Sequence, residues 1–157
     1  MKKILLTLIL MLSVSLCFAQ RGLVSYEDIK FILHNNLQQV DTFLTIKGYV
    51  PIKKDNATKN REYNITAPGD THTDINVRLD GKRMFIEIQT NQISQYNAIH
   101  DSIIQFLDKN SSVPGVQTYG VKDLGTIYIT VEDNTGDPLR KDYDIQIAGD
   151  KHITINN

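Results

Sequence analysis

Residues 74–91, DINVRLDGKRMFIEIQTN, constrain the fold more than any other stretch of this chain. Ile75, Val77 and Leu79 alternate with polar residues before Asp80-Gly81, and Met84, Ile86 and Ile88 alternate after it. Alternation of this kind marks strands with one buried face, and Asp-Gly between two such runs marks a tight hairpin. A two-residue loop at Asp80-Gly81 pairs Val77 with Met84 and Ile75 with Ile86, so both apolar sets face the same side. The chain must therefore cover one side of an antiparallel sheet and leave a second, polar side.

Two helical stripes supply the cover. Between Ser25 and Lys47, residues Ile29, Leu33, Leu37, Val40 and Leu44 recur on a helical period, which predicts one helix. Ser25 and Asp28 form a capping-box pair, and Gly48 is the expected stop, with Tyr49 folding back on the last turn. Asn91 to Lys109 predicts a second helix with the stripe Ile93, Tyr96, Ile99, Ile103 and Phe106.

Short strands follow each helix. Tyr49 to Lys53 and Glu62 to Thr66 precede the hairpin in the first half. In the second, Val116 to Tyr119 is a weak strand, and Thr126 to Val131 is a strong one with Ile127, Ile129 and Val131 inward. The closing run, residues 143–157, predicts a hairpin with a three-residue turn at Gly149 to Lys151, pairing Ile147 with Ile153 and Ile145 with Ile155. The expected fold class is α+β: a duplicated helix-plus-antiparallel-strands unit, with halves at about 25–90 and 91–157. The halves form one antiparallel sheet with two helices on one face, within a single domain spanning 20–157.

The first nineteen residues predict export. Lys2 and Lys3 precede a mostly apolar run from Ile4 to Leu16, and Cys17-Phe18-Ala19 sets small residues for cleavage between Ala19 and Gln20. The run is shorter than the roughly 20 apolar residues of a membrane span, so none is expected after processing. Lipidation at Cys17 favours a small residue before the cysteine, where Leu16 stands. The expected location is periplasmic or secreted. Cys17 is the only cysteine, so the processed chain has no disulfide, thiolate metal site or cysteine nucleophile, which suits a bacterial exported domain. Without Lys2 and Lys3 it carries 15 basic and 18 acidic residues, a net charge of −3, which argues against nucleic acid. A basic stretch (Lys47, Lys53, Lys54, Lys59, Arg61) and an acidic one (Glu132, Asp133, Asp137, Asp142, Asp144, Asp150) read as solvated loops.

The sequence contains no Gly-rich phosphate loop, His-Glu-x-x-His or Gly-x-Ser-x-Gly. His34, His72, His100 and His152 lack metal-ligand spacing, and His72-Thr73-Asp74 reads as a polar strand start. Asp133 to Asp137 reads as a turn, because it lacks the alternating oxygens and distant Glu of a calcium loop. No metal and no cofactor are expected. Duplicated units of this element order, with the Gly-Lys-x-x-Phe-x-Glu-Ile run at Gly81 to Ile88, resemble β-lactamase-inhibitor-like and PepSY-like exported bacterial domains. The chain departs from them in having no tryptophan and no disulfide, and no inhibitory loop carries over.

Strand parity puts Asn76, Arg78, Arg83, Phe85, Glu87, Tyr128, Thr130, Asp144, Gln146 and Thr154 on the outer sheet face. In the expected register Arg78 lies opposite Arg83, an unfavourable pair on a bare sheet. Arg78, Arg83, Phe85 and Tyr128 are residue types that anchor interfaces, and they are the candidate partner-binding residues. The leading expectation is a non-enzymatic protein-binding module of inhibitor or immunity type. One alternative is a periplasmic hydrolase with a site in the loops Lys53 to Arg61 and Pro68 to Thr73. Another is a small-ligand or glycan binder using Phe85 and Tyr128.

Overall fold

The computed structural model describes residues 22–150 except 135 and 138, together with Ile153. The predicted signal segment, Thr154 and Ile155 lie outside these residues. Within them the chain is α+β, with all its strands in one antiparallel sheet. The order is α1 (Tyr26–His34), α2 (Leu37–Ile46), β1 (Val50–Asp55), β2 (Asn60–Ala67), β3 (Thr71–Asp80) and β4 (Arg83–Thr90). Then come α3 (Ile93–Ile103), a 3-10 turn (Ile104–Phe106), β5 (Val116–Val121), β6 (Gly125–Asp133) and β7 (Lys141–Gly149). The sheet order is β1-β2-β3-β4-β7-β6-β5. Each half is a meander, and the last strands of the two halves meet at the sheet's centre. Among the described residues the halves are unequal, with two helices and four strands against one helix and three.

The expected long first helix is two helices. His34 and Asn35 side chains fold back on the carbonyl oxygens of Lys30 and Phe31, each at 2.7 Å. Asn36 then caps α2 with a reciprocal capping box, accepting from the Gln39 N–H at 3.0 Å while its own N–H donates to Gln39 Oε1. Local side-chain bonds thus outcompete the helix, although the apolar stripe runs across the break. The predicted caps at both outer ends form. Ser25 and Asp28 make a capping box, and Gly48, at φ +100°, lets the Tyr49 N–H reach the Leu44 carbonyl.

One face of the sheet carries the core. Val77, Ile86, Ile147 and Ile127 lie in register across four strands, and Ile75, Ile88, Ile145 and Ile129 form the next row. All eight are buried, under Ile29, Ile32, Leu33, Val40, Leu44, Ile99 and Ile103 of the helices. The stripe predicted for α3 is off by its ends: Ile93 and Phe106 are exposed, and fully buried Gln95 takes an inward position. Gln95 donates to the Val24 carbonyl at 2.7 Å and accepts from the Val24 N–H at 2.8 Å, tying the start of α1 to α3. Val131, expected inside, is exposed at the far end of β6.

The hairpin register also differs from expectation. Asp80 pairs with Arg83, so the loop residues are Gly81-Lys82, and Val77 pairs with Ile86 rather than Met84. Gly81 has φ +61°, whereas Lys82 has no positive φ, the pattern of a type II′ turn with Gly first. The slip is two residues, so each side chain keeps its face. The predicted pairing of Ile147 with Ile153 does not form. Ile147 already pairs with Ile86 on one side and Ile127 on the other, leaving no free edge for Ile153.

Four of the five residues of the basic stretch, Lys47, Lys53, Lys54 and Arg61, form ion pairs. Asp41 of α2 accepts the Tyr63 hydroxyl and pairs with Lys54 at 3.1 Å and Arg61 at 3.4 Å. Lys47 pairs with Asp28 at 2.6 Å and Lys53 with Glu62 at 3.1 Å. Burial, then the bond to Asp41, push the Tyr63 phenol well above its ordinary range, and burial beside Asp28 does the same for Tyr49.

Candidate functional site

With the helices on one side, the other side of the sheet is left bare over its middle strands. The structure puts all four candidate residues there. Next to the β3–β4 turn Arg83 lies opposite Asp80, and the row after that pair reads Arg78, Phe85, Ala148, Thr126 and Gly120 across β3, β4, β7, β6 and β5. The next reads Asn76, Glu87, Gln146 and Tyr128, and the third Asp74, Gln89, Asp144 and Thr130. Side chains shrink abruptly after Phe85 in the first row. That drop opens a concavity of about 330 Å³ above Ala148, walled by Phe85 and Arg78 on one side and Tyr128 on the other. Beyond Tyr128 the row is closed: Thr118 is buried, its hydroxyl donating to the Ser111 carbonyl at 3.1 Å.

Arg78 and Arg83 do not face each other, as the expected register had them. Phe85 is the cross-strand partner of Arg78, and both guanidinium groups lie over its ring, at 5.3 Å and 5.1 Å from the centroid. The negative π-system of the ring attracts both cations. Arg83 is further fixed by Nε donating to the Gly149 carbonyl at 2.8 Å. Among the described residues neither arginine has a carboxylate partner, in contrast to Arg61, Lys47, Lys53 and Lys54. Tyr128, on the strand next to the sheet edge, is 41% exposed.

The other end of the face is acidic. Asp74, Asp142, Asp144 and Glu132 share it with His72, around concavities of about 440 Å³ and 210 Å³. The Asp74 carboxylate accepts from Asn64 at 2.7 Å and Asp142 from Asn134 at 2.9 Å. Asn76 Oδ1 and Asp144 Oδ1 are buried acceptors without a hydrogen-bond partner among the described residues, and both residues line this face. His72 lies 3.9 Å from Asp74, too far for a hydrogen bond, and both are open to solvent. No group of three metal-ligating side chains occurs among the described residues. The Asp133 to Asp137 loop is closed by its own bonds: Asn134 Oδ1 accepts from the N–H groups of Gly136 and Asp137, and Asp133 pairs with Lys141. The two loops of the hydrolase alternative lie at opposite ends of β2, about 20 Å apart at ~3.3 Å per residue, and do not assemble one site.

Ala148 is the residue lining this concavity that sequence reasoning missed. It shares the parity of Asp144 and Gln146 on the outer face, but its contribution is the volume it leaves empty. Comparison with models of known families, with curated proteins and with solved structures found no match.

Proposed function

We propose that this chain is a non-enzymatic binding module that docks a protein partner on its outer sheet face. The observation that carries the reading is the pair of arginines held on Phe85 without carboxylate partners among the described residues, beside a trough that ends at exposed Tyr128. Arginine and tyrosine are the side chains that dominate binding energy at interfaces, and a guanidinium already seated on a ring loses little freedom on binding. Two buried acceptors on the same face, without hydrogen-bond partners among the described residues, can take donors from a partner. Export and an inhibitor or immunity-type role remain part of the proposal, the former from residues 1–19 and the latter from the resemblance in element order. No described helix is long and apolar enough to cross a membrane.

Site-specific photo-crosslinking tests the reading. A photoreactive residue at Tyr128 or Gln146, in cells that make the protein, gives a discrete protein adduct that Phe85→Ala removes. The same residue at Lys30, on the helical side, gives none. Adducts that are equal from both sides, or indifferent to Phe85→Ala, contradict it.

A further inference from the structure

We propose that the trough above Ala148 receives one aromatic side chain of the partner, flanked by a carboxylate that Arg78 takes and followed by a basic residue that lies over the acidic end of the face. This rests on the docking reading above and names the chemistry of what docks. The trough lies where a large residue, Phe85, is followed in its row by small Ala148. Its volume of about 330 Å³ is enough to admit one aromatic side chain. Tyr128 and Phe85, the latter carrying the two guanidinium groups, line it, and Asn76 Oδ1, a buried acceptor without a hydrogen-bond partner among the described residues, offers a bond to a tyrosine hydroxyl or a peptide N–H.

The charges fix polarity and partner class. Arg78 and Asp74 lie on the same strand and face, four residues apart, or about 14 Å at ~3.4 Å per residue. A segment that places an acidic residue beside its aromatic one and a basic residue further on matches both ends. A polyanion does not, because Glu87, Asp74, Asp144, Asp142 and Glu132 repel a uniform negative surface along the same face. Nucleic acid and anionic membrane are therefore disfavoured, and a protein segment of mixed charge is favoured.

Selection of random linear peptides on the purified protein tests this directly. Enriched peptides are expected to pair an aromatic residue with Asp or Glu and to carry Lys or Arg beyond it. Ala148→Leu, which fills the trough from an outward position, should weaken them at least about tenfold without lowering the melting temperature. Arg78→Glu should redirect selection towards a basic residue beside the aromatic one. Enriched peptides without this pattern, or peptides that bind Ala148→Leu as tightly as wild type, overturn the inference. Saturable binding of heparin that depends on Arg78 and Arg83 also overturns it. If no peptide enriches while Tyr128 still crosslinks a partner, the segment inference fails and the docking face stands. If both are empty, both fail.

Discussion

Gln95→Met replaces a buried amide by an apolar side chain of similar length and should cost about 3 kcal/mol of folding stability. Gln95 is fully buried in α3, and its amide makes two bonds to Val24, 71 residues away in sequence, donating to the carbonyl oxygen and accepting from the N–H. Val24 is itself fully buried, so the substitution strands one donor and one acceptor away from water. Each stranded group costs roughly 1–3 kcal/mol, and the retained methionine volume limits any cavity cost. With a urea m-value of about 2 kcal/mol/M for a domain of this size, the midpoint should fall by about 1.5 M. Circular dichroism during urea unfolding reads it. Ser94→Ala, at an exposed position one residue earlier, is the control and should move the midpoint little. A loss below about 0.5 kcal/mol for Gln95→Met would mean that the start of α1 is not anchored through this amide, and the reasoning would be refuted.

Gly125→Ala should cost upward of about 2 kcal/mol, because Gly125 has φ +110° and a Cβ there would lie 2.3 Å from the Ala148 carbonyl oxygen. Gly120→Ala, with open space around the position, should be near neutral; thermal melts compare the two. Alkali should weaken the fold. Tyr49 and Tyr63 keep their protons in the folded state well above the ordinary phenol value of 10.0, so their contribution is intact below about pH 10 and declines as pH rises above it; equal urea midpoints at pH 8 and pH 11 would contradict this. Export predicts that the mature protein begins at Gln20, which intact mass decides; retention of residues 1–19, or lipid on Cys17, contradicts it.

The sheet was legible because alternation survives small errors. The β3–β4 register is two residues from the one that Asp80-Gly81 suggested, yet Arg78, Phe85 and Glu87 still point outward, since a two-residue slip preserves parity. Helix boundaries were less legible. The Leu37 to Leu44 stripe continues in phase with Ile29 and Leu33, and only the side-chain bonds of Asn35 and Asn36 reveal the break. Non-local pairing was out of reach. The alternation of Ile145 and Ile147 fits a terminal hairpin as well as a central strand, and nothing local places them between β4 and β6. Val131 follows its period and is exposed all the same near the end of β6, and Phe106 is exposed because α3 gives way to a 3-10 turn at Ile104, which breaks the helical period. At the site, large residues were legible and the small one was not: Ala148 matters through the space it fails to fill.

The docking claim is tested most directly by measuring how the crosslinked partner binds variants of the outer face whose folds are intact. Phe85→Ala and Tyr128→Ala should each weaken the complex by about 1–3 kcal/mol, roughly fivefold to 150-fold, with melting temperatures close to wild type. Lys30→Ala, on the helical side, should leave affinity unchanged. Wild-type affinity in both outer-face variants, or a loss of affinity that merely follows unfolding, would contradict the account.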